Sequence, residues 1–250
     1  MMLLQEKVAV VYGAGGAIGG AIARAFAGAG AHVFLAGRTR ATLDKVAADI
    51  RASGGTAEPA VVDALDQPAV DAFVDGLVER TGRLDISCNV IGVGDVQKPL
   101  TGISVEEFLQ PITTAMRTHF LTTGAAARHM IPRRSGVILA FGGSGPQTQP
   151  GLGGFKVALD ALEGHRRQWA CELGEYGIRV VTLKTGGIPE SIPEGMAGRD
   201  ELAAMLTGAA LLKRAATLAD VGNAAVFVAS DLARTITSAD VNISCGAIVD

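Results

Sequence analysis

Val8-Ala9-Val10-Val11, then Tyr12-Gly13-Ala14-Gly15-Gly16-Ala17-Ile18-Gly19, then an alanine-rich stretch from Ala21 to Ala27, open the chain. The apolar run reads as a strand, the glycines as a tight turn and the alanines as a helix. Glycine lets a backbone turn sharply and approach a phosphate closely. The following helix N-terminus offers free N–H groups and a partial positive charge, so this order of elements is how a chain cradles a pyrophosphate.

Working outward, short Val/Ile/Leu runs alternate with alanine-rich helical patterns. Strands are expected at Val8–Val11, His32–Ala36, Ala57–Val62, Asp85–Asn89, Gly136–Phe141, Ile178–Leu183 and Val241–Ile243. Helices are expected at 18–29, 41–52, 68–81, 112–131, 154–174 and 218–229. This alternation predicts an α/β fold: a Rossmann-like, doubly wound parallel sheet of about seven strands with helices on both faces. There is no repeat, low-complexity tract or linker, so residues 1–250 read as a single dinucleotide-binding domain. Residues 186–213 break the rhythm. Gly186, Gly187, Pro189, Pro193, Gly195 and Gly198 precede an amphipathic stretch with Leu202, Met205, Leu206, Leu211 and Leu212. A long insertion of this kind reads as a flap over a site, or as a plain surface excursion.

The composition narrows the partners. The chain has 250 residues, 48% hydrophobic and 19% charged, which suits one well-filled core. A net charge of −3 with no basic run excludes nucleic acid and anionic membranes as natural partners. Cys88, Cys171 and Cys245 have no metal-type spacing, and an odd count points to a reducing compartment. Gln5, Glu6 and Lys7 interrupt the N-terminal apolar residues, so no signal peptide is expected, and no run reaches membrane-span length. The expected setting is the cytoplasm.

The glycine spacing departs from the common dinucleotide fingerprint, because Ile18 stands where the last glycine of that pattern would fall. It resembles instead the Thr-Gly-x-x-x-Gly-Ile-Gly turn of the short-chain dehydrogenase/reductase family, with Tyr12 in the Thr slot and Ala17 in the middle Gly slot. Asp85-Ile86-Ser87-Cys88-Asn89-Val90-Ile91-Gly92 resembles that family's Asp-x-x-x-Asn-Asn-Ala-Gly strand end, and Gly177-Ile178-Arg179-Val180-Val181 its Gly-Ile-Arg-Val-Asn strand. Phe227–Asp231 with Ile236-Thr237 resembles its last helix and Thr-Gly turn. The resemblance therefore spans essentially the whole chain. It implies that Gly13, Gly15, Gly16 and Ile18 hold a pyrophosphate, that Asp63 meets the adenine, and that Asn89, Val90, Gly92 and Ile188 border the cofactor. Asp63 reads equally as a turn cap. At the end of the second strand Gly37 occupies the slot where a carboxylate would bind the ribose hydroxyls of NAD, and Arg38 follows. A guanidinium suits a 2′-phosphate, so NADP(H) is favoured over NAD(H), with Arg40 able to share the role.

The family's usual chemistry uses an Asn, a Ser, a Tyr and a Lys. Lys156, in Lys156-Val157-Ala158-Leu159, matches the Lys that holds the nicotinamide ribose. The Tyr belongs four residues earlier on the same helical face, and that position is Leu152. Tyr12 lies in the phosphate turn and Tyr176 in an expected exposed turn, so neither replaces it. The Asn slot falls near Ala115, and Ser144 is the only hydroxyl in the Ser slot. Gly142-Gly143-Ser144-Gly145 lacks the spacing of a hydrolase elbow. The cofactor half of the pattern is kept, and the proton-delivery half is not.

A positioned general acid contributes about 10²–10⁴ in rate, so its loss leaves room for turnover. Lys156 directly or through a water, Ser144, or His119 one turn after Ala115 are the candidate replacements, and His119 reads equally as a core-edge or interface histidine. An iminium substrate needs no enzyme acid at all. Ser144 and Lys156 are the catalytic candidates, with no metal. The expected activity is NADP(H)-dependent hydride transfer to or from a carbonyl, alcohol or imine without the Tyr. The alternative is an NADP(H)-binding sensor or partner subunit without turnover. The resemblance also implies a homotetramer or homodimer and a small-molecule substrate.

Overall fold

Seven parallel strands form one sheet in the order β3-β2-β1-β4-β5-β6-β7 in a computed structural model that describes residues 2–143 and 145–249. In chain order the elements are β1 (Val8–Tyr12), α1 (Ala17–Gly28), β2 (His32–Gly37), α2 (Arg40–Ala52), β3 (Thr56–Val61), α3 (Gln67–Thr81), β4 (Ile86–Asn89), α4 (Val105–Arg133), β5 (Gly136–Phe141), α5 (Phe155–Leu173), β6 (Ile178–Lys184), α6 (Arg199–Ala209), α7 (Leu218–Ala229) and β7 (Ala239–Asn242). The expected doubly wound α/β architecture is present. No helix among the described residues is long and apolar enough to cross a membrane.

Strand alternation sorts the core into two layers. Ala9, Val11, Val33 and Leu35 face α1, α2 and α7, where Ile22, Phe26, Val46 and Val228 pack on them. Val8, Val10, Tyr12 and Phe34 face α3, α4 and α5, against Val70, Val74, Met130 and Leu173. Burying both faces is why these strands read as unbroken apolar runs. Strand order reverses between β1 and β4, where Tyr12 pairs with Asn89. The crevice at such a switch point, beyond the carboxyl ends of the strands, is where this architecture binds ligands.

Most element bounds agree with expectation within one or two residues, and four differences are informative. α4 opens at Val105, well before residue 112, because Ser104 and Glu107 form a capping box and the helix carries Pro111 inside it. β7 starts at Ala239, ahead of Val241. Tyr176 is half-buried on the core beneath the Arg134 guanidinium at 5.9 Å, and is not in an exposed turn. Residues 186–213 contain a true helix, α6, none of whose residues is buried.

Asp85 lies just before β4 and fixes the register of β4 against β1. Its Oδ2 accepts the Val8 N–H at 2.9 Å, and Arg83 donates to both of its oxygens at 2.7 Å. Burial alone would raise its pKa, but the Arg83 and Val8 hydrogen bonds and the Arg133 charge outweigh that and hold it below the usual carboxylate range. The stability this group contributes is therefore present above the ordinary carboxylate pKa and is lost as pH falls through the depressed folded value. Asp85→Asn is expected to lose about 3 kcal/mol, since it strands a guanidinium partner. Melting curves across acid pH check it: the variant starts lower and falls less steeply with acidification.

Candidate functional site

The switch point holds a cleft of about 460 Å³. Its floor is the glycine turn. Gly13 N–H donates to the Ala36 carbonyl at 2.9 Å, which binds the turn to β2. Gly13 sits at φ +79°, and a Cβ there would fall 2.6 Å from the Val90 carbonyl oxygen. Only glycine permits both the backbone conformation and that approach. Gly19 is required by contact: its Cβ would lie 2.3 Å from the Gly13 carbonyl, so α1 could not seat on the turn. Gly16 caps α1 with no side-chain acceptor, so the first-turn N–H groups have no side-chain partner. That is the donor set an anionic phosphate takes.

The opposite wall comes from β4. Asn89 is buried and acts on the chain itself. Its Oδ1 accepts the Ile91 N–H at 3.0 Å and its Nδ2 donates to Thr122 Oγ1 at 3.1 Å. The bend it enforces presents Val90, Ile91 and Gly92 to the cleft. Gly13, Gly15, Gly16, Arg38, Asp63, Val90 and Gly92 all line this one cleft. Ile18 is half-buried on the core, Asn89 lies behind the wall, and Ile188 is a core residue whose carbonyl accepts from Ser191. These three do not line it.

At the adenosine end, Arg38 borders the cleft with Thr39 and Thr42. Arg40 does not line the cleft in this structure, and its Nε donates to both Asp44 oxygens at 2.9 Å in an exposed ion pair. Asp63 lines the cleft, and its Oδ1 caps the turn by accepting the Leu65 N–H at 3.0 Å, as the turn-cap reading has it. Thr114 and Thr118, on α4, also line the cleft and were not anticipated. With Thr122 they repeat at four-residue spacing, a polar stripe legible in Thr114-Ala115-Met116-Arg117-Thr118.

The catalytic end differs from expectation. Ser144 lies outside the described residues. Leu152 is not on a helical face, because α5 begins only at Phe155. Gly151 and Gly153 flank it at φ +87° and +54°, and its carbonyl accepts the Phe155 N–H at 3.0 Å. Lys156 stands in the first turn of α5, and both oxygens of Asp160 take its Nζ at 2.6 and 2.7 Å. Beneath it, Ala115, Ala158 and Leu162 pack with Val93 and Leu159 in an apolar cluster. The Asn slot therefore holds a buried Ala115 side chain with no donor or acceptor of its own.

His119 is buried between α4 and α5, its ring 6.1 Å from that of His165. Burial first, and His165 second, push its pKa down to about 3. His165 is pushed down to about 4 by burial, and its Nε2 accepts the Trp169 indole N–H at 2.8 Å. Burial therefore favours the neutral imidazole at His119, which weighs against it as a proton donor.

These features define a doubly wound α/β protein with a glycine turn and an open cleft at its switch point. Residues 13–247 match the family model described as enoyl-(acyl carrier protein) reductase. The chain is 34% identical to an uncharacterized oxidoreductase of Mycobacterium tuberculosis (strain CDC 1551 / Oshkosh), over 98% of this chain and 94% of the relative. A short-chain type dehydrogenase/reductase from Mycobacterium marinum superposes with a TM-score of 0.88 at 26% identity, over 100% of this chain and 98% of that one. A 7α-hydroxysteroid dehydrogenase complexed with NADH and 7-oxo glycochenodeoxycholic acid superposes with a TM-score of 0.89 at 25% identity, over 100% and 97%. The chain belongs to the short-chain dehydrogenase/reductase family of oxidoreductases.

Gly13→Ala is expected to abolish dinucleotide binding and to cost at least about 1 kcal/mol of stability, from the positive φ and the Val90 contact. Cofactor titration by fluorescence, together with a melting curve, reads both.

Proposed function

We propose that the chain, acting as one dinucleotide-binding domain over residues 1–250, is an NADP(H)-dependent oxidoreductase that works without the family's tyrosine. The observation that carries this reading is the adenosine corner of the cleft. Gly37 leaves no carboxylate there and Arg38 borders the space a 2′-phosphate would take. Gly13, Gly15 and Gly16 would hold the pyrophosphate with backbone donors, Asp63 the adenine, and Val90 and Gly92 the ribose side. Ile18, Asn89 and Ile188 support these groups from behind. Lys156 would exchange part of its bond to Asp160 for the nicotinamide ribose, and Ser144 would orient the substrate oxygen or nitrogen. When bound, the cofactor supplies or accepts a hydride at its nicotinamide ring.

Residues 186–213 serve as the substrate flap in this reading. Two features support that: α6 buries none of its residues, and Gly187, at φ +104°, packs its backbone against Leu206. The exposed Phe120 and Val157 on α4 and α5, beside the half-buried Trp169, support assembly as a homodimer or homotetramer. The odd cysteine count supports a reducing setting such as the cytoplasm, and the charge balance argues against a nucleic-acid or anionic-membrane partner.

A second reading, a cofactor-binding subunit without turnover, is favoured by the apolar Ala115 cluster and by Leu152. Two measurements separate them. Arg38→Ala is expected to weaken NADP⁺ binding about tenfold to a hundredfold, the worth of a hydrogen bond to a charged group, and to leave NAD⁺ nearly unchanged. Leu152→Tyr is expected to raise NADPH oxidation with simple ketones, by up to about 10² where the restored phenol reaches the oxygen. A protein that oxidises no NADPH with any ketone or imine, before or after that change, is the non-catalytic subunit.

A further inference from the structure

One carboxylate near the catalytic end has no assigned role. Asp95 is half-buried, and its buried Oδ2 has no hydrogen-bond partner among the described residues. Its loop leaves the cleft wall at Ile91 and Gly92 and runs to the start of α5. There the Val96 carbonyl occupies the space beside Gly153, 2.4 Å from where a Cβ on that glycine would lie. Gly153 adjoins Leu152, and Lys156 follows in the first turn of the helix. The loop is held without Asp95, because Gln110 Nε2 donates to the Val93 carbonyl at 2.9 Å. A buried carboxylate oxygen with no donor costs free energy until a donor or a cation reaches it.

Leu152 bears on the same question from the other side. A carbonyl must gain a proton on oxygen as hydride adds to carbon, and Leu152 cannot give one. A protonated imine has no such need. Hydride forms the new C–H bond, the C=N π pair returns to nitrogen as a lone pair, and a neutral amine results. The reduced nicotinamide loses the hydride, and charge balances with no further reactant. Such a substrate brings a positive nitrogen carrying an N–H, which is the partner Asp95 Oδ2 lacks. We infer that the site takes an iminium ion and its product amine, with Asp95 receiving the charged nitrogen. This rests on the oxidoreductase reading above and narrows it.

The test begins with binding. The NADP⁺ complex is titrated calorimetrically with tetrahydroisoquinoline and pyrrolidine, both protonated at neutral pH, and with their neutral counterparts tetralol and cyclopentanol. At least one amine is expected to bind about tenfold or more tighter than its counterpart, the scale of one charge-assisted hydrogen bond. Asp95→Asn is expected to erase that preference with NADP⁺ affinity unchanged and melting temperature no lower, and Asp95→Glu to keep part of it. In turnover, dihydroisoquinoline or pyrroline should oxidise NADPH where tetralone does not. Amines that bind no tighter than their neutral counterparts, or a preference that survives Asp95→Asn, overturn the inference. Tetralone reduced as fast as the imine overturns it and leaves the oxidoreductase reading standing. An Asp95-dependent amine preference with no NADPH oxidation by imine or ketone upholds the amine site and overturns the oxidoreductase reading.

Discussion

The contact between Gly13 and the Val90 carbonyl governs the rest of the molecule. It brings the turns after β1 and β4 together where strand order reverses, and no side chain at 13 is compatible with it. From that contact follow the seating of α1 through Gly19, the opening of the cleft between two diverging turns, and the orientation of the α1 N-terminus. Asn89 repeats the theme in β4. Its side chain is spent on shaping its own backbone, so the cofactor wall is made of main chain and not of polar side chains. A cleft built this way offers backbone donors suited to an anionic phosphate. On the reading proposed above, selectivity falls to a few side chains at its ends, Arg38 among them.

The two ends have diverged under different constraints. At the adenosine end the sequence supplies what an anion needs. At the catalytic end polar groups have been replaced: Ala115 and Leu162 close the helix interface, and Lys156 takes Asp160 as its partner. On the reading proposed above, these changes leave Leu152 where a proton donor would otherwise stand. Asp95 Oδ2 is a buried acceptor that finds no partner among the described residues, and so is Glu163 Oε1 on α5, against Gly143. Chemistry that needs a negative charge near the substrate, and no proton, fits this distribution.

Much of the fold was legible because its signals are local. Strand, glycine turn and helix at residues 8–27 fix the topology of the first unit, and two-sided burial writes apolar runs that periodicity finds readily. That Gly13, Arg38, Asp63 and Gly92 share one cleft was legible for the same reason. Other features depend on contacts between distant segments. Leu152 lies off the helix because two glycines in left-handed conformation hold it there, and four-residue spacing alone suggested otherwise. Ile188 is drawn into the core by packing that no motif records. The start of α4 was readable, since Ser104 and Glu107 form a capping box, but Pro111 masks it to any rule that treats proline as a break. Asp160 and Asp95 are ordinary surface-type residues in sequence, and their meaning comes only from what lies beside them.

The histidine pair between α4 and α5 also makes the protein its own optical probe. Trp169 is the sole tryptophan, hydrogen-bonded to His165 and 5.8 Å from the Phe120 ring at the exposed end of that stack. All indole emission therefore originates at one surface, on the helices and away from the glycine turn. Covering Phe120 with a second copy of the chain would dry the indole and move its emission to shorter wavelength, whereas protonating His165 in acid would break its hydrogen bond. Assembly and acid response can thus be followed in unlabelled protein through a single chromophore.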